Sequence, residues 1–199
     1  MLSGKTLDIL ILVGQLLNDQ GVPWALIGGA AMPLRGRIRS TRDLDVLLRP
    51  QAMADLIEKL RESGFAHHPR ADRHRLEMVD LYRFWYPISD EASLGLDIQV
   101  PREVNGLLDN VLHHATCVML NGVGIQTATA EDLILLKLLA FRPIDRADAI
   151  ELLELNPDLN REYLGSAARE LGLNDRWDDV LKTANANTTD GSSDSTWPE

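Results

Sequence analysis

Two short stretches restrict the fold more than anything else in the chain. Asp43-Leu44-Asp45-Val46-Leu47-Leu48 alternates charged and apolar residues at its start. In a strand, alternate side chains share a face. Leu44, Val46 and Leu48 then turn to a core, while Asp43 and Asp45 project together on the other side. Like charges so placed repel, and cost stability unless something positive sits between them. A divalent cation is the usual answer, because hard Mg²⁺ takes carboxylate oxygens and keeps room for phosphate and water. Alone, Asp-x-Asp is also the pattern of a solvated strand face. The second stretch is Leu94-Gly95-Leu96-Asp97-Ile98-Gln99-Val100. Leu94, Leu96, Ile98 and Val100 form one apolar face, and Asp97 is a lone carboxylate on the other. Set beside the first strand, it completes a three-carboxylate cluster. Such a cluster can hold two metals about 4 Å apart, as in-line phosphoryl transfer requires.

The rest of the chain supplies a frame for these strands. Residues 3–20 read as a helix ended by Gly21-Val22-Pro23. Trp24–Ile27 is a buried strand feeding Gly28-Gly29, followed by a short helix to Leu34. Pro50 opens a helix to about Ser63; residues 65–80 are a polar loop, and residues 81–88 a strand. Pro101 opens a helical stretch to about His114. Asn121-Gly122 joins two short strands as a type I′ hairpin. Four helices follow to Leu181, broken at Arg142-Pro143, Asn156-Pro157 and near Gly172. Residues 184–199 are a polar tail expected to be disordered. The reading is an α+β core over residues 1–128 and a helical C-terminal part over 129–183.

Composition excludes several classes. The single cysteine, Cys117, rules out a disulfide scaffold and a four-cysteine zinc site, and fits a reducing, cytoplasmic setting. No stretch approaches the roughly 20 apolar residues of a membrane span, and the run from Leu7 to Leu17 lacks the marks of a signal peptide. The net charge of −10 argues against broad electrostatic binding of nucleic acid. One local exception stands: Arg35, Arg37, Arg39, Arg42 and Arg49 bracket the two aspartates.

Gly28 and Gly29, between a buried strand and a helix, let the backbone approach a phosphate, and the helix N-terminus adds partial positive charge. Neither a dinucleotide-binding G-x-G-x-x-G nor a P-loop is present. The combination of apolar-Gly-Gly, thirteen residues, Asp-Leu-Asp-Val and a later strand with one Asp resembles the nucleotidyltransferase superfamily typified by DNA polymerase beta. Arg39-Ser40-Thr41-Arg42-Asp43-Leu44-Asp45 is similar to its R-x-T-x-D-h-D stretch. Downstream, Thr129–Ala140 and Arg142–Asp148 resemble the AbiEii-type branch, which includes toxins of toxin–antitoxin systems; small antibiotic nucleotidyltransferases have a similar pattern.

The resemblance implies a nucleotidyltransferase-type mixed sheet flanked by helices. It implies a metal-dependent enzyme that moves NMP from an NTP, such as ATP, to a hydroxyl acceptor with release of pyrophosphate. Asp43, Asp45 and Asp97 would be the catalytic carboxylates and the ligands of two Mg²⁺ ions, with Mn²⁺ as a substitute. Gly28, Gly29, Arg39, Thr41, Lys137, Asp145 and Asp148 would bind nucleotide. The second glycine stands where the family often has serine, so a hydroxyl is lost there. Lys137 lies in an otherwise apolar helix, where an ammonium must snorkel, pair with a carboxylate such as Asp145 or Asp148, or meet an anion. The acceptor could be tRNA or protein, with a cognate antitoxin as partner, or a small aminoglycoside-like molecule. A non-catalytic nucleotide- or partner-binding module of the same fold is the other reading.

Other features carry less. His67, His68 and His74 fit no zinc spacing and read as a solvated loop. Cys117 reads as a buried small residue, and Phe84, Trp85 and Tyr86 as core or edge packing.

Overall fold

The computed structural model describes residues 4–67, 74–75, 78–102 and 106–190. In chain order the elements are α1 (Gly4–Asn18), β1 (Trp24–Ile27), α2 (Gly28–Ala31), β2 (Asp43–Leu48), α3 (Met53–Glu62), β3 (Ala66–His67) and β4 (His74–Arg75). Then come β5 (Val79–Ser89), β6 (Ala92–Pro101), α4 (Leu107–His114), β7 (Thr116–Leu120) and β8 (Val123–Thr127). Four helices close the series: α5 (Ala130–Ala140), α6 (Pro143–Leu155), α7 (Arg161–Glu170) and α8 (Asn174–Asp190). The chain divides into two compact units, the first Met1–Leu34 with Ile38–Thr129, the second Arg35–Arg37 with Ala130–Glu199.

The first unit holds one mixed sheet, in the order β3-β5-β6-β2-β1-β8-β7, with β4 also paired to β5. The β2–β6 and β1–β8 pairs are parallel and the others antiparallel. The apolar faces lie as the alternation demands: Leu44, Val46 and Leu48 are inaccessible to solvent, and Leu94, Leu96 and Ile98 are buried. Helix α1 packs on β8. Its Gly14 permits the close approach, because a side chain there would strike Ile125. The indole N–H of Trp24 donates to Asn18 Oδ1 at 3.0 Å, which fixes the α1-to-β1 turn. The α+β class is therefore as expected, a mixed sheet flanked by helices.

Among its described residues the second unit holds the helices α5 to α8 and no strand. Asn160 caps α7 by accepting from the Tyr163 N–H at 2.9 Å. Arg176 donates to the carbonyls of Leu138 and Leu139, both at 2.8 Å, and so satisfies the end of α5. No helix among the described residues is long and apolar enough to cross a membrane.

Four local expectations need correction. Residues 65–80 are not only loop: β3 and β4 pair with β5, which begins at Val79 rather than 81. The strand β3 ends the sheet and is only two residues long, as suits an edge. His68 lies outside the described residues. Pro101 does not open a helix but closes β6 opposite Val79, a strand end where a missing N–H costs least. Helix α8 runs through Ala184 to Asp190. Ala184 is buried there, Asn185 accepts from Arg161, and Asn187 donates to Glu154 at 2.7 Å, so part of the polar tail has partners. Residues 191–199 lie outside the described residues. Cys117 is exposed, because β7 is the other edge of the sheet.

The β7–β8 hairpin turns as its sequence requires, with Asn121 at φ 47° and Gly122 at φ 83°. Gly122→Ala, forced into this left-handed conformation, should lower stability by about 1–2 kcal/mol in urea unfolding.

Candidate active site

The parallel register of β2 and β6 builds the site. It sets Asp45 opposite Asp97 and Asp43 opposite Gly95. All three carboxylates therefore belong to one face of two adjacent strands. Their exposure is graded: Asp43 is exposed, Asp45 half-buried and Asp97 7% exposed. Two glycines make room for them. A methyl group at Gly95 would run into the Asp43 carboxylate, and one at Gly28 into that of Asp45. Gly28 is also held at φ 63°, so it is required twice over.

Gly29 lies beneath Thr41 and Arg39. A Cβ at Gly29 would stand 3.0 Å from Thr41 Oγ1 and 3.6 Å from Arg39 Cζ. A side chain there would press against Thr41, whose own hydroxyl lies nearest to that space. That hydroxyl donates to the Asp43 carbonyl at 3.0 Å and accepts from the Asp43 N–H at 3.4 Å, so Thr41 fixes the first residue of β2. Helix α2 is a single turn continued by a 3₁₀ turn over Met32–Arg35, so the dipole expected behind Gly28 is short.

Arg83 was not among the residues singled out from the sequence. It lies opposite Asp97 in the antiparallel β5–β6 pair. Its Nε donates to Asp97 Oδ1 at 2.6 Å and its terminal nitrogen to Oδ2 at 2.5 Å, a bidentate fork. This hydrogen bonding raises the guanidinium pKa above its ordinary value; burial opposes the rise, and the charges of Asp97, Asp43 and Asp45 add to it. One signal was present in the sequence: a single charge within Leu81-Tyr82-Arg83-Phe84-Trp85-Tyr86. The neighbouring aromatics do pack, Phe84 against His67 at 4.6 Å between ring centroids and Tyr86 against Phe65 at 5.0 Å.

The donor set fits a hard divalent cation: oxygen ligands only, from carboxylates that can each use two oxygens. Among the described residues, no three His, Cys, Asp or Glu side chains already converge on one point. Both oxygens of Asp97 are committed to Arg83.

Lys137, Asp145 and Asp148 meet within the second unit. The Lys137 ammonium lies 2.9 Å from Asp145 Oδ1 and 2.8 Å from Asp148 Oδ2, and all three residues are buried. Arg142 binds Asp145 at 2.6 Å, while Arg37 binds Asp148 at 2.9 Å and also pairs with Glu151. The named charges balance, three of each sign. Burial alone would raise the Asp145 pKa, but the hydrogen bonds from Arg142 and Lys137 outweigh it and hold that carboxyl below its usual range. Of the five arginines around the aspartates, Arg37 is thus committed to this network and Arg49 to Asp109.

Residues 7–173 match the family described as "Nucleotidyltransferase of unknown function (DUF6036)". The chain belongs to this family. Among curated proteins, none matches the nucleotidyltransferase. Solved structures do. A candidate nucleotidyltransferase from Thermotoga maritima aligns at TM-score 0.55 and 15% identity, over 76% of this chain and 93% of that one. An antigenic nucleotidyltransferase-like protein from Paracoccidioides brasiliensis aligns at TM-score 0.50 and 21% identity, over 91% and 94%. A lincomycin-bound lincosamide antibiotic adenylyltransferase aligns at 0.50 and 20%, over 77% and 98%. At these identities the likeness shows the fold, a nucleotidyltransferase fold.

The ion network makes a direct prediction. Lys137→Met removes the enclosed cation that two buried carboxylates share, leaving each with one arginine, and should cost about 3–5 kcal/mol of stability at neutral pH. Asp145 has a depressed folded pKa, so its contribution is present above its unfolded value and lost as pH falls. The stability gap between wild type and Lys137→Met should therefore shrink below about pH 4 in denaturation curves.

Proposed function

We propose that this nucleotidyltransferase moves a nucleoside monophosphate from an NTP to a hydroxyl acceptor and releases pyrophosphate. The observation that carries the reading is the register that sets Asp45 beside Asp97, with Asp43 in the same face and glycines beneath. In this reading Asp43, Asp45 and Asp97 hold two Mg²⁺ ions, for which Mn²⁺ can substitute. Bound there, the ions would screen the carboxylates and polarise the α-phosphate.

The protein's own groups do the rest. Gly28 and Gly29 would let the backbone approach the β- and γ-phosphates, and the Arg39 and Thr41 side chains lie against Gly29 in the same turn. Asp97 takes the proton of the attacking hydroxyl as its oxygen bonds to the α-phosphorus and the bond to pyrophosphate breaks. Positioning and preorganised charge supply most of the rate.

Two observations bear on the acceptor. The net charge is −10, and Arg37 and Arg49 are tied into ion pairs. Both favour a neutral or cationic hydroxylated small molecule over a polyanion such as tRNA. The alternative is a toxin-type enzyme of the AbiEii branch, modifying tRNA or protein and restrained by a cognate antitoxin. Its support is the sequence Thr129–Asp148. Growth arrest on expression, relieved by Asp45→Ala, would select the toxin; unaffected growth with transfer to an antibiotic would select the small molecule.

The reaction itself is tested at the carboxylates. Asp43→Ala/Asp45→Ala should abolish Mg²⁺-dependent NTP binding in calorimetric titration and lower pyrophosphate release by at least about a hundredfold. The far-UV spectrum should be unchanged, and retained transfer would overturn the assignment. Gly28→Ala should have a similar effect on transfer, because it both strains the turn and displaces Asp45.

A further inference from the structure

Arg83 has no place in the reaction as derived so far, yet it is bound directly to one of the three carboxylates. It grips Asp97 through two nitrogens, at 2.6 and 2.5 Å. It reaches Asp97 straight across the β5–β6 ladder, just as Asp45 reaches Asp97 across β2–β6. The three side chains thus form one row on one sheet face, cation at the end. The Arg83 side chain is 44% exposed while that of Asp97 is 10% exposed, so the arginine can leave toward solvent and the aspartate cannot. Both Asp97 oxygens are occupied by the guanidinium.

We propose that Arg83 is a positioning residue, the resident counter-ion of the carboxylate cluster, which a divalent cation must displace from Asp97 to gain its third ligand. The inference rests on the reading of Asp43, Asp45 and Asp97 as metal ligands. It deepens that reading by making metal capture conditional. Without metal, one protein cation neutralises part of the cluster and keeps Asp97 aimed along the sheet. A metal ion arriving alone competes with that cation for Asp97. A metal ion arriving on a triphosphate brings extra ligands and frees Arg83, whose guanidinium then gains a phosphate as an alternative partner. Nucleotide and metal therefore bind with positive coupling, and Arg83 is the origin of part of it.

The opposite role is physically reasonable, and the two differ in sign. A side chain that merely orients a metal ligand raises metal affinity, and its loss weakens binding by about 10–100-fold. A competing counter-ion lowers metal affinity, and its loss strengthens binding.

The experiment is a Mn²⁺ titration of the full chain without nucleotide, read by electron paramagnetic resonance and by the metal-induced rise in Tm. It compares wild type, Arg83→Gln, Arg83→Lys and Asp43→Ala/Asp45→Ala. Arg83→Gln should bind Mn²⁺ about tenfold more tightly than wild type, with a larger Tm rise, on the scale of such neighbours. Arg83→Lys keeps the charge without the fork and should fall between the two. The coupling of Mn²⁺ binding to a non-hydrolysable NTP analogue should shrink in Arg83→Gln. Unchanged or weaker Mn²⁺ binding in Arg83→Gln, with binding still lost in Asp43→Ala/Asp45→Ala, overturns the role of Arg83 and leaves the carboxylate site intact. Mn²⁺ binding that survives in Asp43→Ala/Asp45→Ala overturns the site and the role together. If Arg83→Gln fails to fold, Arg83→Lys alone decides by the same sign.

Discussion

Two aspartates face each other across a parallel pair of strands, and a third lies two residues away. Their mutual repulsion is a cost the fold must offset, because neither strand can turn. Leu44, Val46 and Leu48 pin one strand to the core, and Leu94, Leu96 and Ile98 pin the other. A slip of one residue would bury aspartates and expose leucines, so the register is fixed by apolar packing rather than by the charges. The charges are then left where they are, and cations come to them. Arg83 is one such cation within the chain. The oxygen donor set suits a divalent ion as another.

The second unit solves a similar problem in a different way. Lys137, Asp145 and Asp148 are all buried, and the pairing with Arg37 and Arg142 leaves the group balanced. Buried ion pairs of this kind add little net stability over apolar packing, but removing one partner is costly. The contrast between the units is instructive. Asp97 is paired with a cation that is partly exposed; Asp145 and Asp148 share an enclosed one, Lys137, besides their arginines.

Much of this was legible in the sequence because it follows from period and spacing. The alternation in Asp43–Leu48 and Leu94–Val100 gave the faces, and Gly28-Gly29 gave the turn. The Asn121-Gly122 hairpin and the four C-terminal helices followed from turn and breaker residues. What was not legible depends on partners distant in the chain. Arg83 is unremarkable until β5 is laid against β6. Gly95 looks like a weak point in a strand until Asp43 is seen to need its space. Helix α8 outran its expected end because Asn185 and Asn187 meet Arg161 and Glu154, which no local propensity records. Cys117 is exposed because its strand lies at an edge, and strand order is a property of the whole sheet.

The hairpin formed by β5 and β6 also has a bearing on how the chain folds. Arg83 and Asp97 are only 14 residues apart and face each other within one antiparallel hairpin. Asp43 and Asp45 reach Asp97 only through a parallel pairing, which needs a long crossover and closes a larger loop. Local pairs form before distant ones in most chains, because the shorter loop loses less entropy. The hairpin would then arrive at β2 with its own cation already attached, and the three carboxylates would never meet unscreened during assembly.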